Sequence, residues 1–148
     1  MTRKYVDALM RIFSIDPGLS TGVADVTFTD SMASMHSSQE LPFSDMLQLA
    51  YTVADMDYDY VVMETFIYTP QTVKKSVQPW STEIIGVFRA VFMDKGKPLL
   101  FQKPKDKDII DNNTLRSLGL WHKGGGGHAN DALRHAVVCA IRHGWRPE

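Results

Sequence analysis

The chain has a single cysteine, Cys139, among 148 residues, so no disulfide can form within it. A lone thiol suits a reducing compartment, and a cytoplasmic location is expected. Cys139 sits in an apolar helical pattern and reads as a core residue. No stretch approaches the about 20 apolar residues that a membrane-spanning helix needs, so no membrane partner is expected. The opening "MTRKYVDALM" is too short and polar for a secretory signal. From Ile12 to Val73 there is no lysine or arginine at all, against nine acids. From Lys74 onward, thirteen lysines and arginines face seven acids. The two spans carry formal charges of −9 and +6, although the whole chain is near neutral. A basic half can face a polyanion while an acidic half supplies metal ligands; two solvated faces of opposite sign are the simpler alternative.

What is present fits one domain with a sizeable core. Residues 1–9 read as an N-terminal extension and 10–148 as the domain. Arg11 to Ile15 predicts a strand, closed by the turn Asp16-Pro17-Gly18. Gly22 to Phe28 predicts its return, and Ser31 to Ser38 a weakly marked third strand. Pro42 and Ser44 open a predicted helix running to about Met56, with Phe43, Met46, Leu47, Ala50 and Val53 as its apolar face. Tyr60 to Glu64 is a continuous apolar run of the kind found in a central strand. Ser81 is the expected N-cap of a helix to about Met93, ended by Lys95-Gly96. Leu99 to Lys103 predicts another strand, Asp108 to Leu118 a helix, and Asn130 to His143 the last helix. The run Gly124–Gly127 reads as a flexible loop. This order implies an α/β fold: a mixed sheet of three antiparallel strands followed by two parallel ones, with helices packed on it.

Four chemically notable side chains stand at element edges. Asp16 ends the first strand and Glu64 the strand after the first helix. If those strands are parallel neighbours, both carboxylates leave the same sheet edge. His128 and Asp131 are three apart, which on a helix puts them on one face. Converging carboxylates repel each other and raise one another's pKa until a cation binds. Oxygen ligands with one imidazole suit Mg²⁺ or Mn²⁺. Two such ions about 3.5–4 Å apart can activate a water and stabilise the leaving oxygen of a phosphodiester. Three carboxylates against two dications leave a formal +1, which favours a phosphate. Taken singly, each residue also fits an ordinary part. Asp16 could be a turn residue, Glu64 an exposed strand end, His128 a loop residue and Asp131 a first-turn acid favoured by the helix dipole. Their conjunction carries the functional reading.

The strings "IDPGLSTGVA", "VVMETF" and "HANDALRHAV" resemble the RuvC-type Holliday-junction resolvases of the RNase H-like superfamily. The phage-encoded members are the most similar in length, which would put the protein in a bacterial host cytoplasm. The resemblance spans Met10 to His143. It implies an RNase H-like fold with helices on both faces, a homodimer, and nicking of branched DNA such as a four-way junction with two divalent ions, Mg²⁺ or Mn²⁺. Residue by residue, it makes Asp16, Glu64, His128 and Asp131 the catalytic metal ligands. It implies DNA contacts for lysines after the fifth strand. Lys103, Lys105 and Lys107 alternate there and would share one face of an extended segment. Lys74 and Lys75 are further candidates for holding the backbone near a branch point. The family often has a junction-opening aromatic soon after the glutamate; here Phe66 and Tyr68 flank that spot, occupied by Ile67. Trp80 and Trp121 read as core or interface anchors. His135, four after Asp131, reads as a helix-surface histidine, with a supporting role behind the metal ligands as the alternative.

Three other readings stay open on the sequence. The same nuclease chemistry could act on RNA, flaps or forks. "DPGLSTG" also resembles the first phosphate loop of actin-like ATPases, but the chain is short for their paired domains and shows no second glycine-rich phosphate loop. A non-catalytic DNA-binding module would not need all four ligand candidates, and all four are present.

Overall fold

The computed structural model describes residues 9–66, 70 and 79–147. Its centre is a five-stranded sheet in the order β3-β2-β1-β4-β5. Strands β1 (Leu9–Asp16), β2 (Ser20–Thr29) and β3 (Met32–Pro42) form an antiparallel meander. Strands β4 (Tyr60–Glu64) and β5 (Leu100–Gln102) then add in parallel beside β1. This is the mixed sheet that the sequence predicts.

The β1–β2 connection is short because Thr21 closes it: Gly18 N–H donates to its Oγ1 (3.3 Å), and the hydroxyl donates to the Gly18 carbonyl (3.1 Å). At the β2–β3 hairpin Asp30 takes a left-handed φ of 48°, which Asp tolerates better than most residues. β3 runs four residues beyond its predicted end, to Pro42.

Side chains alternate across the sheet, so the strands serve two cores. Ile12, Ala24, Val26, Phe28 and Val62 face one side. Phe13, Ile15, Val23, Val61 and Met63 face the other. On that second side lie α1 (Met46–Ala54) and α2 (Trp80–Lys95). Helix α2 buries Ile84, Ile85, Phe88, Val91 and Phe92, one 3.6-residue stripe, and stops at Gly96 with φ 66°. The first side is covered by α4 (His128–Arg142), which buries Cys139 as expected.

Several expectations are corrected. A 3-10 turn at Phe43–Asp45 precedes α1, and Leu47 is 56% exposed rather than on its apolar face, because α2 meets the stripe through Met46, Ala50, Val53 and Ala54. Ser81 does not cap α2: the N-cap is Pro79, two residues earlier, and the Ser81 hydroxyl donates instead to the Pro17 carbonyl (2.8 Å). The helix expected over 108–118 splits into a 3-10 segment, Pro104–Ile109, and α3 (Asn112–Ser117). Asp111 causes the restart by accepting the Thr114 N–H at 2.8 Å as an N-cap. Trp80 packs edge-on against Phe43 (5.3 Å), and Trp121 packs on the α4 core under Arg116. Among the described residues no helix is long and apolar enough to cross a membrane.

Candidate active site

Strand parity decides what lies under the start of α4. Ile12, Ser14 and Asp16 share one face of β1, and Tyr60, Val62 and Glu64 the same face of β4. Ile15 stands beside Met63 in the parallel pairing, so Asp16 and Glu64 leave the sheet as neighbours. Across the meander Asp16 pairs with Gly22, and Gly22 with Glu40; on the other flank Glu64 pairs with Gln102. One transverse row thus presents Glu40, Gly22, Asp16, Glu64 and Gln102 to the helix.

Gly22 lets α4 approach. A Cβ there would lie 1.9 Å from the His128 carbonyl oxygen. Glu40 then holds the helix start: its carboxylate accepts N–H bonds from Gly126 (3.0 Å), His128 (3.0 Å) and Ala129 (3.3 Å). These bonds hold the Glu40 carboxyl below its ordinary pKa. The four-glycine run is thus tied to β3 at Gly126, and a Cβ on Gly125 would meet the Glu40 carboxylate at 2.7 Å.

The four sequence-predicted ligands sit around this point. His128 Nδ1 is 3.5 Å from Asp16 Oδ2. Asp16, only 7% exposed, stands beside Glu64 at the end of the neighbouring strand. Burial first, then the charge of Glu64, pushes Asp16 up to about 8. Burial also works to raise Glu64, but hydrogen bonds from His135 and Lys107 outweigh it and the net shift is downward. The two neighbouring carboxyls thus divide their roles, one keeping a proton and the other ionised. Asp131 lies farther along α4, held by Arg134 (2.7 Å), whose guanidinium also donates to the Ile110 carbonyl (2.9 Å) and to Asn112.

Lys107 enters the cluster itself. Its Nζ is 2.9 Å from Glu64 Oε2 and 3.5 Å from Asp131 Oδ2. The expectation that Lys103, Lys105 and Lys107 share an extended face is corrected, because Pro104 starts a 3-10 helix that turns them apart. Lys103 and Lys105 are exposed. Phe66 is half-buried against the core of α1 and α2. Ile67, Tyr68, Lys74 and Lys75 lie outside the described residues.

His135 is the largest correction. It is not on the helix surface but fully buried, with Nε2 2.7 Å from Glu64 Oε2 and Nδ1 2.9 Å from Gln102 Nε2.

Among the described residues no three His, Cys, Asp or Glu side chains are grouped so as to hold a metal as they stand. The donor set nonetheless fits a hard dication. It is three carboxylates and an imidazole, one of the carboxyls raised by burial and by the charge of Glu64, with an ammonium standing among them.

The same architecture occurs in solved structures. Thermus thermophilus RuvC in complex with a Holliday-junction substrate superposes with a TM-score of 0.68 at 17% identity, over 91% of this chain and 96% of that one. The fold is RNase H-like, of the RuvC type. Another Thermus thermophilus RuvC structure gives 0.66 at 17% identity, over 91% and 97% of the two chains. The Fowlpox virus resolvase with Holliday-junction DNA gives 0.50 at 12%, over 84% and 97%. No protein-family model and no curated protein matches the sequence.

On this RuvC-type fold, the residues not foreseen are Glu40, Gln102 and Arg134, while His135 takes the alternative rather than the preferred reading. His135 had a signal. His128, Asp131 and His135 fall at i, i+3 and i+7, so a stripe that turns the first two toward the sheet buries the third. Glu40 and Gln102 had none, because their importance lies in which strands they pair with.

Proposed function

We propose that this chain is a divalent-metal-dependent endonuclease that cuts branched DNA, with the four-way junction as its substrate. The observation that carries the reading is the approach of Asp16 to His128 and of Glu64 to Asp131 through the Lys107 ammonium, at one sheet edge of a RuvC-type fold. Asp16 and Glu64 would hold one Mg²⁺ or Mn²⁺, and Asp16, His128 and Asp131 a second. The ions supply Lewis-acid activation of a water and stabilisation of the leaving oxygen. The chain's own contributions follow from its geometry. Asp16, buried and keeping its proton to about pH 8 without a cation, gives that proton up as positive charge arrives. Lys107 balances Glu64 and Asp131 until then; once displaced, its ammonium is placed to meet a DNA phosphate. Arg134 keeps Asp131 in place throughout. A two-fold homodimer would set two such sites against opposed strands of a junction.

The test is a gel assay on a synthetic four-way junction, a flap, a fork and linear duplex, with Mg²⁺, Mn²⁺ or EDTA. Paired symmetric nicks in the junction, lost in EDTA, are expected. Asp16→Asn should reduce cleavage below detection while sparing junction binding. Cleavage retained by that variant overturns the assignment, and preference for a flap or fork replaces the substrate.

A further inference from the structure

We infer that His135, clamped by Gln102, is a positioning residue that fixes the orientation of Glu64 for cation binding; this rests on the metal-dependent reading above. Three elements converge on the pair. Glu64 and Gln102 are register partners on β4 and β5, both facing α4, and His135 comes down from α4 over them. The Gln102 amide nitrogen makes two contacts with one residue: 3.0 Å to the His135 carbonyl oxygen and 2.9 Å to its Nδ1.

Those contacts assign the hydrogens. A carbonyl oxygen only accepts, so the Gln102 group facing it is the NH₂ and not the amide oxygen. That NH₂ is also the neighbour of Nδ1, so Nδ1 accepts. The ring proton therefore lies on Nε2, aimed at Glu64 Oε2 2.7 Å away. With the imidazole fully buried, both nitrogens must be satisfied inside the protein, and this one arrangement satisfies both.

The chemistry distinguishes His135 from the other donor to Glu64. Lys107 reaches the same oxygen at 2.9 Å, but on a long stem and with a full positive charge that competes with a dication. His135 brings an N–H without a charge, on a rigid ring locked by a second residue. It can hold the carboxylate's rotation while leaving its negative charge to the cation. Groups that orient metal-binding side chains in this way typically change affinity by about 10–100-fold when removed.

The experiment uses the full chain without DNA. Mn²⁺ binding is measured by calorimetry for wild type, His135→Leu and His135→Gln, with melting curves for each. Two-dimensional ¹⁵N NMR of the metal-free wild type reads the His135 tautomer. Expected are a protonated Nε2 with a bare Nδ1, a loss of Mn²⁺ affinity of about 10–100-fold in His135→Leu, and recovery to within a few-fold in His135→Gln, whose amide N–H can replace Nε2–H. An Nδ1-protonated tautomer overturns the inference even where His135→Leu does not fold. So does wild-type affinity in folded His135→Leu, or equal losses in folded Leu and Gln variants. Wild-type protein that binds no Mn²⁺ sinks the metal reading itself, and this inference with it.

Discussion

Asp16 is held at a cost to the fold. Its carboxyl is buried beside Glu64 and keeps its proton to about pH 8. Because the folded value lies above that of a free aspartate, protonated Asp16 favours the native state. That contribution is complete at low pH and is lost as pH rises through about 8. Metal-free Asp16→Asn, which needs no proton, should therefore be more stable than wild type above neutrality, by on the order of 1–3 kcal/mol. Thermal melts in EDTA from pH 6 to pH 9 check it. The wild-type curve should fall relative to the variant, and parallel curves would count against the burial argument. Stability gained where cleavage is lost marks a site built against the fold's own preference. Asp16 and Glu64 were readable from sequence because each ends an apolar run. His135 was placed on the surface although its i, i+7 spacing from His128 puts it on the buried face; its partners Glu64 and Gln102 were not legible, because they stand on other elements.

At the scale of elements, helix α4 owes its position to two residues on other strands. Gly22 leaves room for the His128 carbonyl, and a Cβ there would lie 1.9 Å from it. Gly22→Ala should cost about 2–3 kcal/mol in urea unfolding, since backbone rather than a flexible side chain must yield. Cleavage should fall with it, because His128 and Asp131 ride on the displaced turn. Glu40 supplies the anion that an N-cap side chain would ordinarily provide, for the N-cap of α4 is Gly127, which has no side chain. Glu40→Gln should cost about 1 kcal/mol. The Glu40 contribution is full above the ordinary glutamate range and disappears as pH falls through its lowered folded value. The penalty of the variant should accordingly shrink in acid, which melts at pH 3 and pH 7 compare. The local pattern "GGGGHAND" marked a loop and a helix start; that the loop is tied to β3 was invisible, because β3 itself was only weakly marked.

For the molecule as a whole, the acidic first half and basic second half meet where β1, β4 and the start of α4 come together. Glu64 from the acidic half is paired with Lys107 from the basic half, so the charge segregation of the sequence becomes pairing at the site. A dication that binds only the folded state stabilises it by mass action, about 2.7 kcal/mol at a hundred times its dissociation constant. Saturating Mn²⁺ should therefore raise the wild-type Tm by about 5–10 °C, and Asp16→Asn should show little of that rise. Equal shifts in both proteins would place the binding elsewhere. Combined with the metal-free melts, the order of stability should invert when Mn²⁺ is added at alkaline pH.

Sequence by itself marked most of the strands and the acids at their ends, because periodicity and run length are properties of neighbouring residues. Alternation of side chains also sent Asp16 and Glu64 to the same face once their strands were taken as parallel neighbours. Only the tertiary structure decided what surrounds them. Glu40, Gln102, Lys107 and His135 come from β3, β5, a 3-10 turn and α4, and their partners are 88, 33, 43 and 71 residues away in the chain. Hydrogen bonds and ion pairs across such distances depend on strand register and helix approach. Composition and spacing do not encode either one locally.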